Sequence, residues 1–500
     1  MNVSVAVLHA LEYNILPKEM AGFATTSLLP RRLRWSHVYS QAELCRAALR
    51  VYTKPLFHWR KALSTSTDGK TLYDFAARGL RGMDALHRSL ERRQFRFRQA
   101  IALHYNFNGK QRTLYISPWE ERIVDLMLYR VLSRKLHPWF STNSYAYRVF
   151  DYGLDQCQSQ IADVIRSAHA PLYVVKRDIA DYFASVDHEL LLAKLAELVD
   201  PADYLFQILV QRIHFQYQEA ADTATATVGI PFGSAIACLF ANVYLTEMDR
   251  RIESMAGVRY FRYADDILLL VSGRERACAA KQMLESSLTE LRLGMKASHS
   301  TDLALSTGAL PADMEFPPSG EFRHLGLLFR ANGTISLSRD KLRKIQNLFR
   351  FAFRRARRRW KKIQEPAEKA RTLAVLAAET IDKGLRNVAI LDYYLKHVDD
   401  EDQIRLLDRW LAEEVLACVF GGHKKGHFRR ISFMDLRAMG LPSLVHRQRL
   451  IRRGAIVSPF FIWQKERSAK AFRGTVARLP QGTRPAAFSS VLEAAAGECP

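Results

Sequence analysis

Three carboxylates set the terms for this chain. Asp265 and Asp266 stand side by side in the stretch Val258-Arg-Tyr-Phe-Arg-Tyr-Ala-Asp-Asp-Ile-Leu-Leu-Leu-Val271, where an aromatic-rich run meets two acids and a second apolar run follows at once. That pattern predicts strand, tight turn and strand. A carboxylate buried between such strands is costly without a cationic partner, and a divalent metal is the usual one. A second acidic position lies upstream, where Leu172-Tyr-Val-Val175 reads as a buried strand running through Lys176 and Arg177 into Asp178. Two neighbouring strands that deliver Asp178 and the Asp265-Asp266 pair to one place would hold hard cations such as Mg²⁺ through oxygen ligands, leaving room for substrate phosphates.

The rest of the chain must position these acids. With 500 residues, 48% of them hydrophobic, it can bury several cores and is not a disordered protein. Lys and Arg number 74 against 51 Asp and Glu, a net charge of +23 and a pI near 9.8, which favours polyanions and above all nucleic acid. The six cysteines show no short paired spacing, so neither a disulfide framework nor a cysteine-rich zinc ribbon is predicted, and a reducing cytoplasm suits them. No apolar run is long enough for a membrane span and no secretory leader is evident, so a soluble cytoplasmic protein without a membrane partner is expected.

Residues 1–90 read as a helical extension with a basic cluster, Arg31, Arg32 and Arg34, beside Trp35. From Phe95 short alternating runs flank Asn108-Gly109, the strongest short signal for a hairpin. Pro118 followed by Glu120 and Glu121 opens a helix, with the acids where the macrodipole favours them. A helix rich in small residues on its first turns is expected over Ala235–Met248. After residue 339 the pattern is helical throughout. Between Lys341 and Lys362, Arg354, Arg355, Arg358 and Lys361 are interleaved with Phe351, Phe353 and Trp360, the footprint of a helix lying on a phosphate backbone; calmodulin targeting and membrane-surface binding are the competing readings. The glycine-rich loop Gly421–His427 offers Cys418, His423 and His427 but no fourth zinc ligand at motif spacing. The last twenty or so residues read as a poorly ordered tail.

Over residues 95–330 the sequence resembles the reverse transcriptases, within them the bacterial group II intron and retron-like lineage. Tyr263-Ala264-Asp265-Asp266 is similar to the Tyr-x-Asp-Asp hairpin of that family, Asp178-Ile-Ala-Asp-Tyr-Phe-Ala-Ser-Val-Asp-His188 to its first palm motif, Gly229-Ile-Pro-Phe-Gly-Ser234 with Ala-Asn-Val-Tyr-Leu245 to the motif between them, and Phe322-Arg-His-Leu-Gly-Leu-Leu-Phe329 to its primer-grip hairpin. The resemblance implies an α+β right-hand polymerase: fingers over 91–170, palm over 171–335, a basic helical thumb over 336–400, a helical domain over 401–480 and a tail over 481–500. It implies nucleotidyl transfer with two Mg²⁺ ions, Mn²⁺ being the alternative, held by Asp178, Asp265 and Asp266. Deoxynucleotides would meet Lys110 and Arg112 of the hairpin, Phe183 beneath the sugar where a ring excludes a 2′-hydroxyl, and Phe232. Ser144-Tyr-Ala-Tyr-Arg148 resembles a further family segment, which makes Arg148 a phosphate contact or the member of a structural ion pair.

Two departures stand out. Pro231-Phe232-Gly233 replaces the Pro-Gln-Gly of many members, exchanging a polar contact to the nucleotide for an apolar ring. The lysine that usually closes the stretch Leu293-Gly-Met-Lys-Ala-Ser-His-Ser-Thr301 is missing, leaving Lys296 or His299 to protonate a leaving pyrophosphate. No endonuclease or ribonuclease H module is evident, nor are the retron hallmark segments. What remains resembles the free-standing reverse transcriptases of antiphage defence, which pair the polymerase with a basic helical C-terminal region and often a noncoding RNA; the resemblance implies that a noncoding RNA is the template here. A group II intron maturase, a template-independent DNA polymerase and a catalytically silent RNA-binding scaffold are the alternatives.

Overall fold

The computed structural model describes residues 32–53, 65–107, 110–148, 152–168, 170–311, 313–382 and 388–455. The described residues divide into two compact units, one drawn from residues 1–157 and 173–302 and the other from residues 158–172 and 303–466. The architecture is mixed α+β with sheets rich in antiparallel pairs, as the alternating runs and the later helical periodicity predict.

In chain order the first unit carries α1 (Gln41–Thr53), α2 (Leu72–Glu91), β1 (Ala100–Phe107), β2 (Lys110–Ile116), α3 (Trp119–Lys135), the first residues of α4 (Leu154–Arg166), β3 (Leu172–Asp178), α5 (His188–Leu198), α6 (Tyr204–Ile213), β4 (Gln216–Glu219), β5 (Asp222–Thr225), α7 (Ala235–Glu253), β6 (Val258–Tyr263), β7 (Asp266–Ser272) and α8 (Arg274–Glu290). β1 and β2 form the expected hairpin, with Ile101 opposite Ile116 and Phe107 opposite Lys110; the Asn108-Gly109 turn lies outside the described residues. β4 and β5 extend it to a sheet of order β2-β1-β4-β5.

Two helices form much of the core. α3 buries Ile123, Val124, Met127, Leu128, Val131 and Leu132, and its buried Asp125 is held by both arms of Arg212 at 3.0 and 2.6 Å. α7 starts where the Ser234 hydroxyl accepts the Ala237 amide, and buries Leu239, Phe240, Val243, Tyr244, Leu245 and Met248. It packs against β6, α3 and α5. The run Ile267–Val271 of β7 is apolar at every position because both of its faces are covered.

In the second unit the end of β8 (Thr301–Leu305) pairs parallel with β9 (Pro318–Ser319), and β10 (Glu321–His324), β11 (Leu327–Arg330) and β12 (Ile335–Leu337) make an antiparallel sheet in that order. Leu325 and Gly326 both take positive φ, as a two-residue hairpin turn requires, and Phe322 stacks on Phe329. Helices α9 (Arg339–Arg355), α10 (Pro366–Asp382), α11 (Val388–His397), α12 (Glu401–Phe420) and α13 (Leu444–Arg452) follow, with a short helix, Phe433–Ala438, between the last two. The basic segment is not one helix: α9 ends at Arg355, and a short turn, Arg357–Trp360, folds back so that the Trp360 indole donates to the Phe353 carbonyl at 2.8 Å. Its apolar stripe, Ile345, Leu348, Phe349, Ala352 and Phe353, is buried, while Arg354, Arg355, Arg358 and Lys361 are exposed. Among the described residues no helix is long and apolar enough to cross a membrane.

Candidate active site

β3 lies beside the β6–β7 hairpin in the order β6-β7-β3, so the strand ending in Asp178 runs next to the one beginning at Asp266. Tyr263 faces Asp266 across the hairpin, leaving Ala264 and Asp265 to make the turn, with Ala264 in the left-handed region at φ 60°. The Ile179 amide donates to the Asp265 carbonyl at 3.1 Å, which ties the turn to the residue after Asp178.

The segment after α8 completes the site. The Ala180 amide donates to Gly294 O and the Lys296 amide to Asp178 O, at 2.8 and 2.9 Å. This pairing carries the Lys296 ammonium to 2.5 Å from Asp178 Oδ1, 3.0 Å from Ile179 O and 3.9 Å from Asp265 Oδ2. His299 Nδ1 faces Asp178 Oδ2 at 3.2 Å, and Lys176 Nζ lies 3.7 Å from Asp266 Oδ1.

Charge and burial pull the three acids apart. Burial works against ionisation of Asp178, but hydrogen bonds from Lys296 and His299 hold its carboxyl below the usual range. Asp265 is pushed up by burial and by the Asp178 charge. Asp266 is pushed up chiefly by burial, with Lys176 opposing and both other acids adding repulsion. The donor set is all oxygen, which suits a hard divalent cation, and a cation would relieve the repulsion that raises Asp265 and Asp266. Among the described residues no three His, Cys, Asp or Glu side chains gather closely enough around one point to hold a metal; in this arrangement the Lys296 ammonium lies between Asp178 and Asp265.

The other expected site residues divide into two groups. Phe183, on the short helix Tyr182–Ser185, meets the rings of Tyr147 and Phe232 edge-on, with centroids 6.0 and 5.4 Å away. Arg112 on β2 lies over Phe232 at 5.8 Å, and its charge is felt at Asp265. The loop carrying Phe232 is fastened on both sides: the Ile230 amide donates to Phe183 O at 2.7 Å, and the Tyr115 amide of β2 donates to Phe232 O at 3.0 Å. Glycine is needed at both ends of this loop. A Cβ on Gly229, at φ 83°, would lie 3.0 Å from the Ala184 carbonyl, and one on Gly233, at φ 107°, would lie 2.3 Å from Leu114 Cδ1.

Arg148 is occupied elsewhere. Its guanidinium donates to the carbonyls of Ser141, Ser144 and His137 and lies over Tyr152 and Phe140, so it clamps a loop through carbonyls and rings rather than through an ion pair. The Lys110 side chain lies outside the described residues. Arg354, Arg355, Arg358 and Lys361 belong to the second unit. Cys418, His423 and His427 form no metal cluster: His427 stacks on Phe420 and faces Gly422 O.

Sequence reasoning passed over three contributors, Lys176, Tyr147 and Arg262. Arg262 carried a signal, since it shares the inward parity of Val258 and Tyr260 on β6, where a charge is out of place.

Residues 106–327 match the family described as reverse transcriptase (RNA-dependent DNA polymerase), somewhat under half of the chain. The chain is 25% identical over 228 residues to Protein YkfC of Escherichia coli, covering 38% of this chain and 59% of that protein. It is 24% identical over 174 residues to an uncharacterized 91 kDa protein in a cob intron of Schizosaccharomyces pombe, covering 35% of this chain and 21% of that one. It thus spans less than two thirds of either relative. Among solved structures, telomerase from Candida albicans, in complex with a fragment of telomeric RNA, aligns over 81% of this chain and 67% of its own at 10% identity, with a TM-score of 0.40. Residues 106–327, which hold Asp178, Asp265 and Asp266, are the part of the chain that is similar to the reverse transcriptase family.

Proposed function

We propose that this chain is an RNA-directed DNA polymerase that copies a noncoding RNA in antiphage defence. The observation that carries the polymerase reading is the convergence of Asp178 with the Asp265-Asp266 turn, on adjacent strands inside the matched domain. The primer 3′-hydroxyl would attack the α-phosphorus of a deoxynucleoside triphosphate and pyrophosphate would leave. Divalent ions held by Asp178, Asp265 and Asp266 would, when bound, lower the charge cost at the attacking and leaving oxygens. In this reading Arg112 would meet the triphosphate, Phe183 and Phe232 would wall the sugar, and Lys296 or His299 would protonate the leaving group; the contacts of Arg112 and Phe183 with Phe232, and of Lys296 and His299 with Asp178, support these roles.

The defence role and the RNA template rest on the free-standing reverse transcriptase resemblance and on the excess of 74 cationic over 51 acidic side chains. The test is to sequence the RNA and DNA that copurify with wild type and with Asp265→Ala, with and without phage infection. One discrete RNA bound by both, with complementary DNA only in the wild type and increased or required on infection, is the expected result. DNA unrelated to any bound RNA would mean template-independent synthesis. Bound RNA with no Asp265-dependent DNA would leave the scaffold reading, and an intron RNA as the ligand would mean a maturase.

A further inference from the structure

We infer that the buried ion pair Arg262–Asp249 is a positioning device for the carboxylate turn, an inference that rests on the polymerase reading of Asp265. Both side chains are closed off from solvent, at 1% and 0% exposure. Arg262 grips Asp249 with two arms, Nε to Oδ1 at 2.7 Å and Nη2 to Oδ2 at 2.6 Å. Tyr260 adds a third bond, its hydroxyl donating to Asp249 Oδ1 at 2.5 Å. The remaining arm of Arg262, Nη1, reaches forward to the Ala264 carbonyl at 3.2 Å and to Asn242 Oδ1 at 3.3 Å. Ala264 is the left-handed residue immediately before Asp265, a conformation that a non-glycine residue keeps only when its surroundings hold it.

The same residue fastens the turn through its backbone. The Arg262 amide donates to Asn143 O and its carbonyl accepts from the Tyr145 amide, both at 2.9 Å, while Asn242 Nδ2 donates to Ala146 O at 2.9 Å. Asn242 and Asp249 are seven residues apart on α7, two turns and one face, so a single helix supplies both anchors. Stability alone does not explain such a pair, because apolar residues of similar volume replace buried ion pairs at little or no loss. An apolar replacement has a deficit at the turn: it cannot donate to the Ala264 carbonyl, nor to Asn242 Oδ1 beside it. The planar fork of arginine can bind a carboxylate with two nitrogens and still present a third to the turn, which a lysine ammonium cannot do in one plane.

The test uses the full-length protein with Arg262→Met, Asp249→Leu and Tyr260→Phe combined, and separately Arg262→Lys. Primer extension on poly(rA)·oligo(dT) gives kcat and the KM for dTTP, thermal melting reports the fold, and hydrogen exchange by mass spectrometry reports on the peptide spanning residues 264–266. For the combined variant we expect melting within about 4 °C of wild type, kcat lower by about 10–100-fold, KM changed by less than about threefold, and faster exchange confined to the turn. Arg262→Lys should keep the fold yet lose kcat with the same local exchange. A folded combined variant with wild-type kcat and exchange overturns the inference. Wild-type kcat and exchange in Arg262→Lys overturn it equally, and decide the matter if the combined variant does not fold. If the wild-type protein makes no DNA, the polymerase reading fails, while the exchange data still decide whether Arg262 holds the turn.

Discussion

Phe183 is braced from two sides, by the rings of Tyr147 and Phe232, so its own ring has little freedom to yield to an incoming sugar. In the polymerase reading Phe183→Val should raise ribonucleotide incorporation relative to deoxynucleotide by about tenfold or more, measured as the ratio of kcat/KM for rNTP and dNTP. An unchanged ratio would remove Phe183 from sugar selection. The acids were legible in the sequence because Asp265 and Asp266 interrupt a run that is otherwise strand core, and Asp178 ends one. Their cationic neighbours were less so. Lys296 reaches Asp178 only because Ile179 pairs with Met295 across more than a hundred residues of chain, a pairing that no local pattern announces. For Arg148 the type of partner could not be read, since carbonyls and phosphates both accept from a guanidinium and only the closed loop decides between them.

α3 packs an unusual charge load into the core, and its Glu121 gives the fold a pH dependence. Burial pushes the Glu121 carboxyl up to about 7 from an ordinary value of 4.5 in the unfolded chain, although the Arg98 amide donates to it. Folding therefore takes up a proton between those values, so its stabilising effect is complete below about 4.5 and is lost as pH rises through about 7. Glu121→Gln keeps an acceptor for Arg98 and removes the buried charge. It should be more stable than wild type at pH 8, by at most about 3 kcal/mol, and equal to it near pH 4.5; parallel melting curves at the two pH values check this. Hairpins and helices were legible as elements, because alternation and turn residues are local signals. The partnership of β1 with β4 was not. Gln216–Glu219 is a polar, solvent-facing strand with no apolar alternation, and it joins the sheet only where tertiary packing brings it alongside Ala100 and Ile101. Nor was the break after Arg355 legible, since it depends on Trp360 finding the Phe353 carbonyl.

For the whole molecule the governing quantity is the net charge of +23. Replacing Arg354, Arg355, Arg358 and Lys361 together by Gln should weaken RNA binding about equally across sequences and flatten its dependence on salt, by roughly 0.7 in log–log slope for each phosphate of a single strand that is no longer neutralised. Filter binding at several salt concentrations measures it, and an unchanged slope would mean that these side chains do not touch the backbone. The division into units could not be read from motif order, because residues 303–337 are fastened to the start of α12: Ile335 N donates to Asp399 Oδ1 at 2.5 Å, Ser336 Oγ to Asp400 Oδ2 at 2.6 Å and Leu337 N to Gln403 Oε1 at 2.6 Å. Within the first unit, the loop from Gly229 to Gly233 bears on a different property. It is pinned to Phe183 at one end and to Tyr115 of β2 at the other, so hairpin and ring cannot shift independently. A mispaired nucleotide that tilts the hairpin would drag the ring along with it, five residues from Asp178. In the polymerase reading, error control would then be exerted before bond formation, by a linkage of two backbone hydrogen bonds rather than by a separate editing step.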